Sequence, residues 1–158
     1  MADPLQTGAP APAFRMPRDG GDAVTLADYA GKALVLYFYP KDDTSGCTRE
    51  AADFNALMSA FRDAGAEILG VSPDSDKSHA AFRQKHGLAI SLGSDESKEV
   101  CQAYGVWQEK SMYGRKYMGV ERTTFLIGPD GRIAEIWPKV SVKGHAEAVL
   151  AAVKALPR

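Results

Sequence analysis

The sequence lacks the charge bias and the ligand patterns that mark several large functional classes. Lysine and arginine total 19 against 20 aspartate and glutamate, a net charge of −1, which gives no reason to expect binding to nucleic acid. The three histidines, His79, His86 and His145, share no ligand spacing with one another or with the cysteines, so no metal or haem is expected. Phosphate-binding and dinucleotide-binding glycine patterns are also missing, and we expect no cofactor.

Long apolar runs are missing as well. No window approaches the roughly 18 apolar residues that a membrane-spanning helix needs. The opening segment, MADPLQTGAPAPAF, has neither a basic start nor an apolar stretch of signal-peptide length. We therefore expect a cytoplasmic protein with no membrane partner.

Cysteine is scarce, which makes each thiol individually interesting. Cys47 and Cys101 are the only two, too few for a disulfide framework. A chain of 158 residues needs no such framework, because a domain of that size buries roughly 70% of its unfolded surface. No linker or repeat interrupts the chain, and residues 1–158 are predicted to form a single domain.

The pattern of apolar residues predicts an α/β fold. Ala33 to Tyr39 is a continuous apolar run typical of a central strand, and it stops at Pro40. Apolar residues at three- and four-residue spacing then predict one helix from Cys47 to Ala64, with Cys47 in its first turn. Further along, the expected elements are a strand over Glu67–Ser72, a helix from Asp74 or Ser75 to Gly87, a strand over Leu88–Leu92 and a helix opening at Ser94-Asp95-Glu96.

The ends of the chain supply the remaining predicted elements. Gly20-Gly21 indicates a hairpin between Ala13–Arg18 and Ala23–Leu26. Val106 to Glu121 has no clean period and is interpreted as a long loop. The last elements are predicted as strands over Thr123–Ile127 and Arg132–Trp137, followed by a helix over Gly144–Leu156. This order of strands and helices is that of the thioredoxin-like fold.

One segment carries a recognisable motif. Residues Pro40 to Cys47, PKDDTSGC, fit the peroxiredoxin pattern Pro-x-x-x-Thr/Ser-x-x-Cys. The surrounding YFYPKDDTSGCTREAADF resembles the peroxiredoxin Q, or bacterioferritin-comigratory, subfamily, as do DAGAEILGVSPDS and YGVWQEKSMYGRKYMGVERTTFLIGPDGRI. The resemblance implies a thioredoxin-like fold with the peroxiredoxin N-terminal hairpin and an insertion, a hydroperoxide substrate and a monomer.

The same resemblance implies a role for each motif residue. Cys47 would be the peroxidatic thiol, Thr44 and Arg122 would orient the peroxide, and Pro40 would shield the sulfur. Glu50 matches the family's acidic partner for that arginine, and a backbone N–H near Gly46 is a further donor. Taken without the resemblance, Glu50 could be an ordinary first-turn acid and Arg122 a surface residue.

Elementary chemistry shows why a reactive thiol alone is insufficient. An ordinary thiol is only about 3% ionised at pH 7, so full ionisation gains roughly 30-fold in thiolate. The lower basicity that ionisation requires costs more than about tenfold in nucleophilicity. Most of the rate must therefore come from donors that hold the peroxide and stabilise the departing oxygen.

The regeneration step is where the sequence departs from its relatives. Ala52 and Arg83 occupy the two places where branches of the subfamily carry a resolving cysteine, so Cys101 is the only possible resolving thiol. We favour a one-cysteine cycle in which thioredoxin, glutaredoxin or a small thiol reduces Cys47. The alternatives are resolution by Cys101, which otherwise is a buried apolar residue, or a redox sensor without turnover. Ser45 is a second departure, because the family usually has proline there.

A disulfide oxidoreductase is disfavoured. Its C-x-x-C motif would need a second thiol three residues after Cys47, and Glu50 stands there.

Overall fold

The computed structural model describes residues 5–18 and 22–157, and a five-stranded mixed sheet lies at its centre. The strands are β1 (Arg15–Pro17), β2 (Ala23–Thr25), β3 (Ala33–Phe38), β4 (Ala66–Ser72), β5 (Ser91–Ser94), β6 (Trp107–Met112), β7 (Arg115–Val120), β8 (Thr123–Ile127) and β9 (Ile133–Trp137). The helices are α1 (Ser45–Ala56), α2 (Met58–Asp63), α3 (Asp76–His86), α4 (Glu99–Ala103) and α5 (His145–Lys154).

The sheet has the order β5-β4-β3-β8-β9. Strand β3 pairs in parallel with β4 and antiparallel with β8, whereas β4 and β5 are parallel and β8 and β9 antiparallel. All six residues of β3 are buried, as expected for a central strand covered on both faces. The predicted strand over Ala33–Tyr39 thus forms the middle of the fold.

Side chains of β3 alternate between two separate cores. Val35 and Tyr37 pack with residues of α1, α2, α3 and α5 on one face of the sheet. Leu34, Leu36 and Phe38 pack on the other face with residues of α4 and of the β1–β2 hairpin. The sheet therefore divides the described part of the molecule into two apolar layers.

Several helix and strand boundaries in the structure differ from those predicted from the sequence. The helix expected from Cys47 to Ala64 begins earlier, at Ser45, and is two helices, because the chain departs from helical geometry at Leu57, where φ is −99° and ψ is 5°. The strand expected over Leu88–Leu92 lies at Ser91–Ser94, where it pairs with the end of β4. The helix expected to open at Ser94-Asp95-Glu96 begins at Glu99.

The long loop predicted for Val106 to Glu121 is wrong, because strands β6 and β7 form an antiparallel hairpin there. Most of its side chains are exposed on both faces, so no alternation of apolar and polar residues marks the strands. Its turn is Tyr113-Gly114, with φ of +52° and +78°.

At the N-terminus β1 and β2 form the expected hairpin, although Gly20-Gly21 lie outside the described residues. Across residues 5–18 and 22–157, none of the helices has the length and apolar character needed to span a bilayer.

Candidate active site

Cys47 is placed by the start of α1. Thr44 is the N-cap residue in extended geometry, and Thr48 N–H donates to the Thr44 carbonyl at 2.8 Å in the first turn of the helix. The N–H groups of Ser45, Gly46 and Cys47 precede that bond and have no partner inside the helix. They carry the partial positive charge of the helix N-terminus, next to a thiol that is only 1% exposed.

Arg122 connects the thiol to a buried carboxyl group. It lies between β7 and β8, and its Nη2 donates to Cys47 Sγ at 3.1 Å. Its Nη1 donates to Glu50 Oε1 at 2.6 Å. A planar guanidinium can make both contacts at once because its donors are held in a fixed fork. Three of the residues singled out from the sequence therefore meet at one point.

Glu50 lies one helical turn after Cys47 and is 1% exposed. Burial raises the pKa of its carboxyl from 4.5 to about 7, although Arg122 acts in the opposite direction. Its second oxygen, Oε2, has no hydrogen-bond partner among the described residues. Near neutral pH this carboxyl is therefore only partly ionised.

The loop before α1 holds the other motif residues. Pro40 lies two residues after the end of β3 and is half-buried, while Thr44 is exposed. The Thr44 hydroxyl donates to the Lys41 carbonyl at 3.0 Å, within its own loop. A Cβ atom added to Gly46 would lie 3.4 Å from Arg122 Nη2, so a glycine at this position leaves the guanidinium room beside the sulfur.

Cys101 lies far from this arrangement in the fold. It belongs to the apolar layer on the opposite face of the sheet from Cys47 and is fully buried. Its backbone N–H donates to Asp95 Oδ2 at 2.7 Å. Burial, with further help from Asp95, raises the pKa of the Cys101 thiol well above its ordinary range.

A buried polar cluster beside the motif loop escaped the sequence analysis. Asp42 contacts Tyr39 and His79, and its backbone N–H donates to Asp74. Oxygen and nitrogen atoms of Asp42, Asp74 and His79 lie within 4.8 Å of one another, the spacing of a metal site. Hydrogen bonds join them directly, however, and His79 Nδ1 and Asp42 Oδ2 are 2.8 Å apart. The only sequence signal was a histidine three residues before the buried Phe82, on the same side of α3.

Residues 7–136 match the AhpC/TSA family model. The chain is 53% identical over 148 residues to peroxiredoxin Bcp of Xanthomonas campestris, covering 92% of each chain. It is 45% identical over 150 residues to peroxiredoxin Bcp of Bacillus subtilis, covering 95% of this chain and 96% of the relative. The chain belongs to the AhpC/TSA family. Within that family it is a peroxiredoxin of the Bcp, or Q, type, as the motif predicted.

Solved structures agree with this membership. Peroxiredoxin Q of Xanthomonas campestris superposes with a TM-score of 0.86 at 53% identity, covering 90% of each chain. A cysteine-to-serine mutant of PrxQ from Xylella fastidiosa gives a TM-score of 0.92 at 43% identity, covering 98% of each chain. The predicted thioredoxin-like peroxiredoxin fold is confirmed, and the protein is a thiol-dependent peroxidase that takes a hydroperoxide as substrate and a thiol as reductant.

Proposed function

We propose that this peroxiredoxin reduces hydrogen peroxide and organic hydroperoxides through attack by the Cys47 thiolate, in a one-cysteine cycle completed by an external thiol. The observation that carries the proposal is the guanidinium of Arg122, which donates to Cys47 Sγ at 3.1 Å and to Glu50 at 2.6 Å. A charge-assisted hydrogen bond of this kind stabilises the thiolate. The same guanidinium also presents its positive charge to the incoming peroxide.

The first step exchanges two bonds. The thiolate attacks the terminal oxygen of the hydroperoxide, the O–O bond breaks, and a sulfur–oxygen bond forms to give the sulfenic acid. The departing alkoxide or hydroxide takes up a proton and leaves as alcohol or water. Arg122 and the N–H groups of Gly46 and Cys47 are the donors that stabilise the charge growing on that oxygen.

Thr44 and Pro40 shape the approach of the peroxide. Because the Thr44 hydroxyl gives its hydrogen to the Lys41 carbonyl, its oxygen can accept the O–H of the peroxide and orient the terminal oxygen toward the sulfur. Pro40, in the loop that follows β3, limits the access of water to the sulfur.

The second step requires a thiol from outside the chain. A thiol of thioredoxin, glutaredoxin or a small molecule attacks the sulfenic sulfur, water leaves, and the resulting mixed disulfide is released by a second thiol. Two observations support this assignment over resolution by Cys101. The sheet lies between the two cysteines, whereas a disulfide needs Cα atoms within about 7 Å. Burial also keeps the Cys101 thiol protonated and thus a poor nucleophile.

Two matched variants test the proposal. Cys47→Ser is expected to abolish peroxide consumption in a coupled assay with thioredoxin, thioredoxin reductase and NADPH, or with dithiothreitol as a small-thiol reductant. Cys101→Ser is expected to turn over at the wild-type rate in the same assays. Peroxide consumption by the Cys47 variant would contradict the assignment of the nucleophile, and loss of turnover in the Cys101 variant would contradict the one-cysteine cycle.

The same proposal includes a monomer built from one domain over residues 1–158. Light scattering across the concentration range of the assay tests this, and a mass that doubles with rising concentration would contradict it.

A further inference from the structure

His79 is held between two acceptors in the interior of the protein. It lies on α3 and is fully buried. Its Nδ1 is 2.8 Å from Asp42 Oδ2, and its Nε2 is 2.9 Å from the carbonyl oxygen of Gly93 in β5. The ring thus joins the loop that precedes α1 to the edge strand of the sheet.

The partners fix the protonation state of this ring. A carbonyl oxygen can only accept, so Nε2 carries a hydrogen. The Asp42 carboxyl already accepts from Tyr39 Oη at 2.6 Å through Oδ1 and from Ser78 Oγ at 2.7 Å through Oδ2. A carboxylate that accepts at both oxygens is ionised, so Nδ1 also carries a hydrogen. His79 is therefore an imidazolium paired with a buried carboxylate.

This ion pair anchors the loop between β3 and α1. The backbone N–H of Asp42 donates to Asp74 Oδ2 at 2.8 Å, and Ser72 Oγ donates to the same oxygen at 2.6 Å. Asp42 is thus fixed through both its side chain and its backbone. It lies midway between Pro40 and Thr44, the two residues of the loop that we propose shape the approach of the peroxide.

We propose that His79 is a positioning residue of the peroxidase reaction, an imidazolium that clamps Asp42 to the Gly93 carbonyl and so fixes the loop carrying Pro40 and Thr44. The inference rests on the proposed role of that loop. The partly exposed histidine of the same helix makes an instructive contrast, because His86 Nε2 lies 2.8 Å from Asp43 Oδ1 on the next loop residue. That pair lies at the surface, open to solvent, where an ion pair contributes little.

The clamp has a defined dependence on pH. The groups that face His79 are Asp42 from the loop, Tyr39 just after β3, Asp74 after β4 and the Gly93 carbonyl from β5. Burial alone would lower the pKa of His79, but Asp42, Gly93 and Asp74 outweigh it and raise the pKa above its ordinary value. A raised pKa means that the clamp is complete at acid and neutral pH and is lost as pH rises through that value.

The test compares His79→Gln with His86→Gln as the matched control. The second-order rate constant for oxidation of Cys47 is measured by stopped flow in single turnover, as a function of pH. His79→Gln is expected to lower it by about tenfold to a hundredfold at neutral pH, since a displacement near 1 Å costs up to that much. It should also remove the alkaline fall in rate that the clamp predicts for the wild type. His86→Gln should stay within about twofold of wild type.

A second measurement does not depend on any variant folding. The ring nitrogens of His79 in the wild-type protein are examined by nitrogen-15 NMR at neutral pH, and both are expected to be protonated. A neutral ring, or an unchanged rate and pH profile in His79→Gln, would overturn the inference. If Cys47→Ser lacks activity while His79→Gln retains it, only the inference fails and the proposed function stands.

Discussion

At the scale of single residues, the guanidinium of Arg122 donates hydrogen bonds to two acidic groups. Arg122 contacts both the Cys47 sulfur and the Glu50 carboxyl, and the two acids are buried. Two full negative charges beside one guanidinium would leave an uncompensated buried charge, which is costly. Burial raises the pKa of Glu50 against the opposing effect of Arg122, and a neutral Glu50 carboxyl leaves Arg122 more available to the thiolate.

Replacing Arg122 with lysine tests whether the fork itself is required. An ammonium is a point charge and cannot hold the sulfur and the carboxyl in one rigid geometry. We expect Arg122→Lys to lower the rate constant for Cys47 oxidation about a hundredfold, the usual effect of losing one such donor. Arg132→Lys is the control, because that arginine is exposed and its side chain donates to the Gly8 carbonyl near the β8–β9 turn, away from Cys47. Equal rates for wild type and Arg122→Lys would contradict this role.

Replacing Glu50 with glutamine tests the state of the buried carboxyl. A carboxyl whose pKa is raised to about 7 on folding contributes stability below its ordinary pKa, and this contribution is lost as pH rises through 7. Between about pH 5 and about pH 8, the wild type should therefore lose about 2 kcal/mol of unfolding free energy relative to Glu50→Gln. Denaturant titrations at both pH values measure this, with the exposed Glu147→Gln as control. A pH-independent difference would show that Glu50 is ionised throughout.

At the scale of elements, the helices and strands that could be predicted from sequence were those with a clear pattern of buried residues or clear end signals. Strand β3 was predictable because all its residues are buried, and α3 because Ser75 caps it and Gly87 ends it. The β6–β7 hairpin was not, because its strands expose both faces. The break between α1 and α2 was missed because the apolar spacing continues across Leu57.

The hairpin turn offers a prediction of its own. Tyr113 is almost fully exposed and has a φ of +52°, a conformation that asparagine adopts more readily than tyrosine in a two-residue turn before glycine. We expect Tyr113→Asn to stabilise the hairpin by about 1 kcal/mol, which slows hydrogen exchange of its amides about fivefold. Tyr117→Asn, within β7, should give no such gain. Faster exchange in Tyr113→Asn would contradict this account of the turn.

At the scale of the whole molecule, the sheet decides what the second cysteine can do. Sequence patterns indicated that Cys101 could be a buried apolar residue, but they could not show that it belongs to the other apolar layer. The cluster around His79 could not be predicted either, because its residues are brought together only by the packing of the strands. Tyr39, Asp42 and His79 are separated by up to 40 residues and meet only because β3, β4 and β5 lie side by side. The motif residues were found because they lie close together in sequence or match a known family.

The most direct test of the whole account is the mass of the two cysteine peptides after one equivalent of hydrogen peroxide, without added reductant and under non-reducing conditions. We predict that the Cys47 peptide gains oxygen, trapped as the sulfenic acid by a dimedone probe, while the Cys101 peptide remains an unmodified thiol. A disulfide between Cys47 and Cys101 would contradict the one-cysteine cycle, and an unmodified Cys47 would contradict its role as the nucleophile.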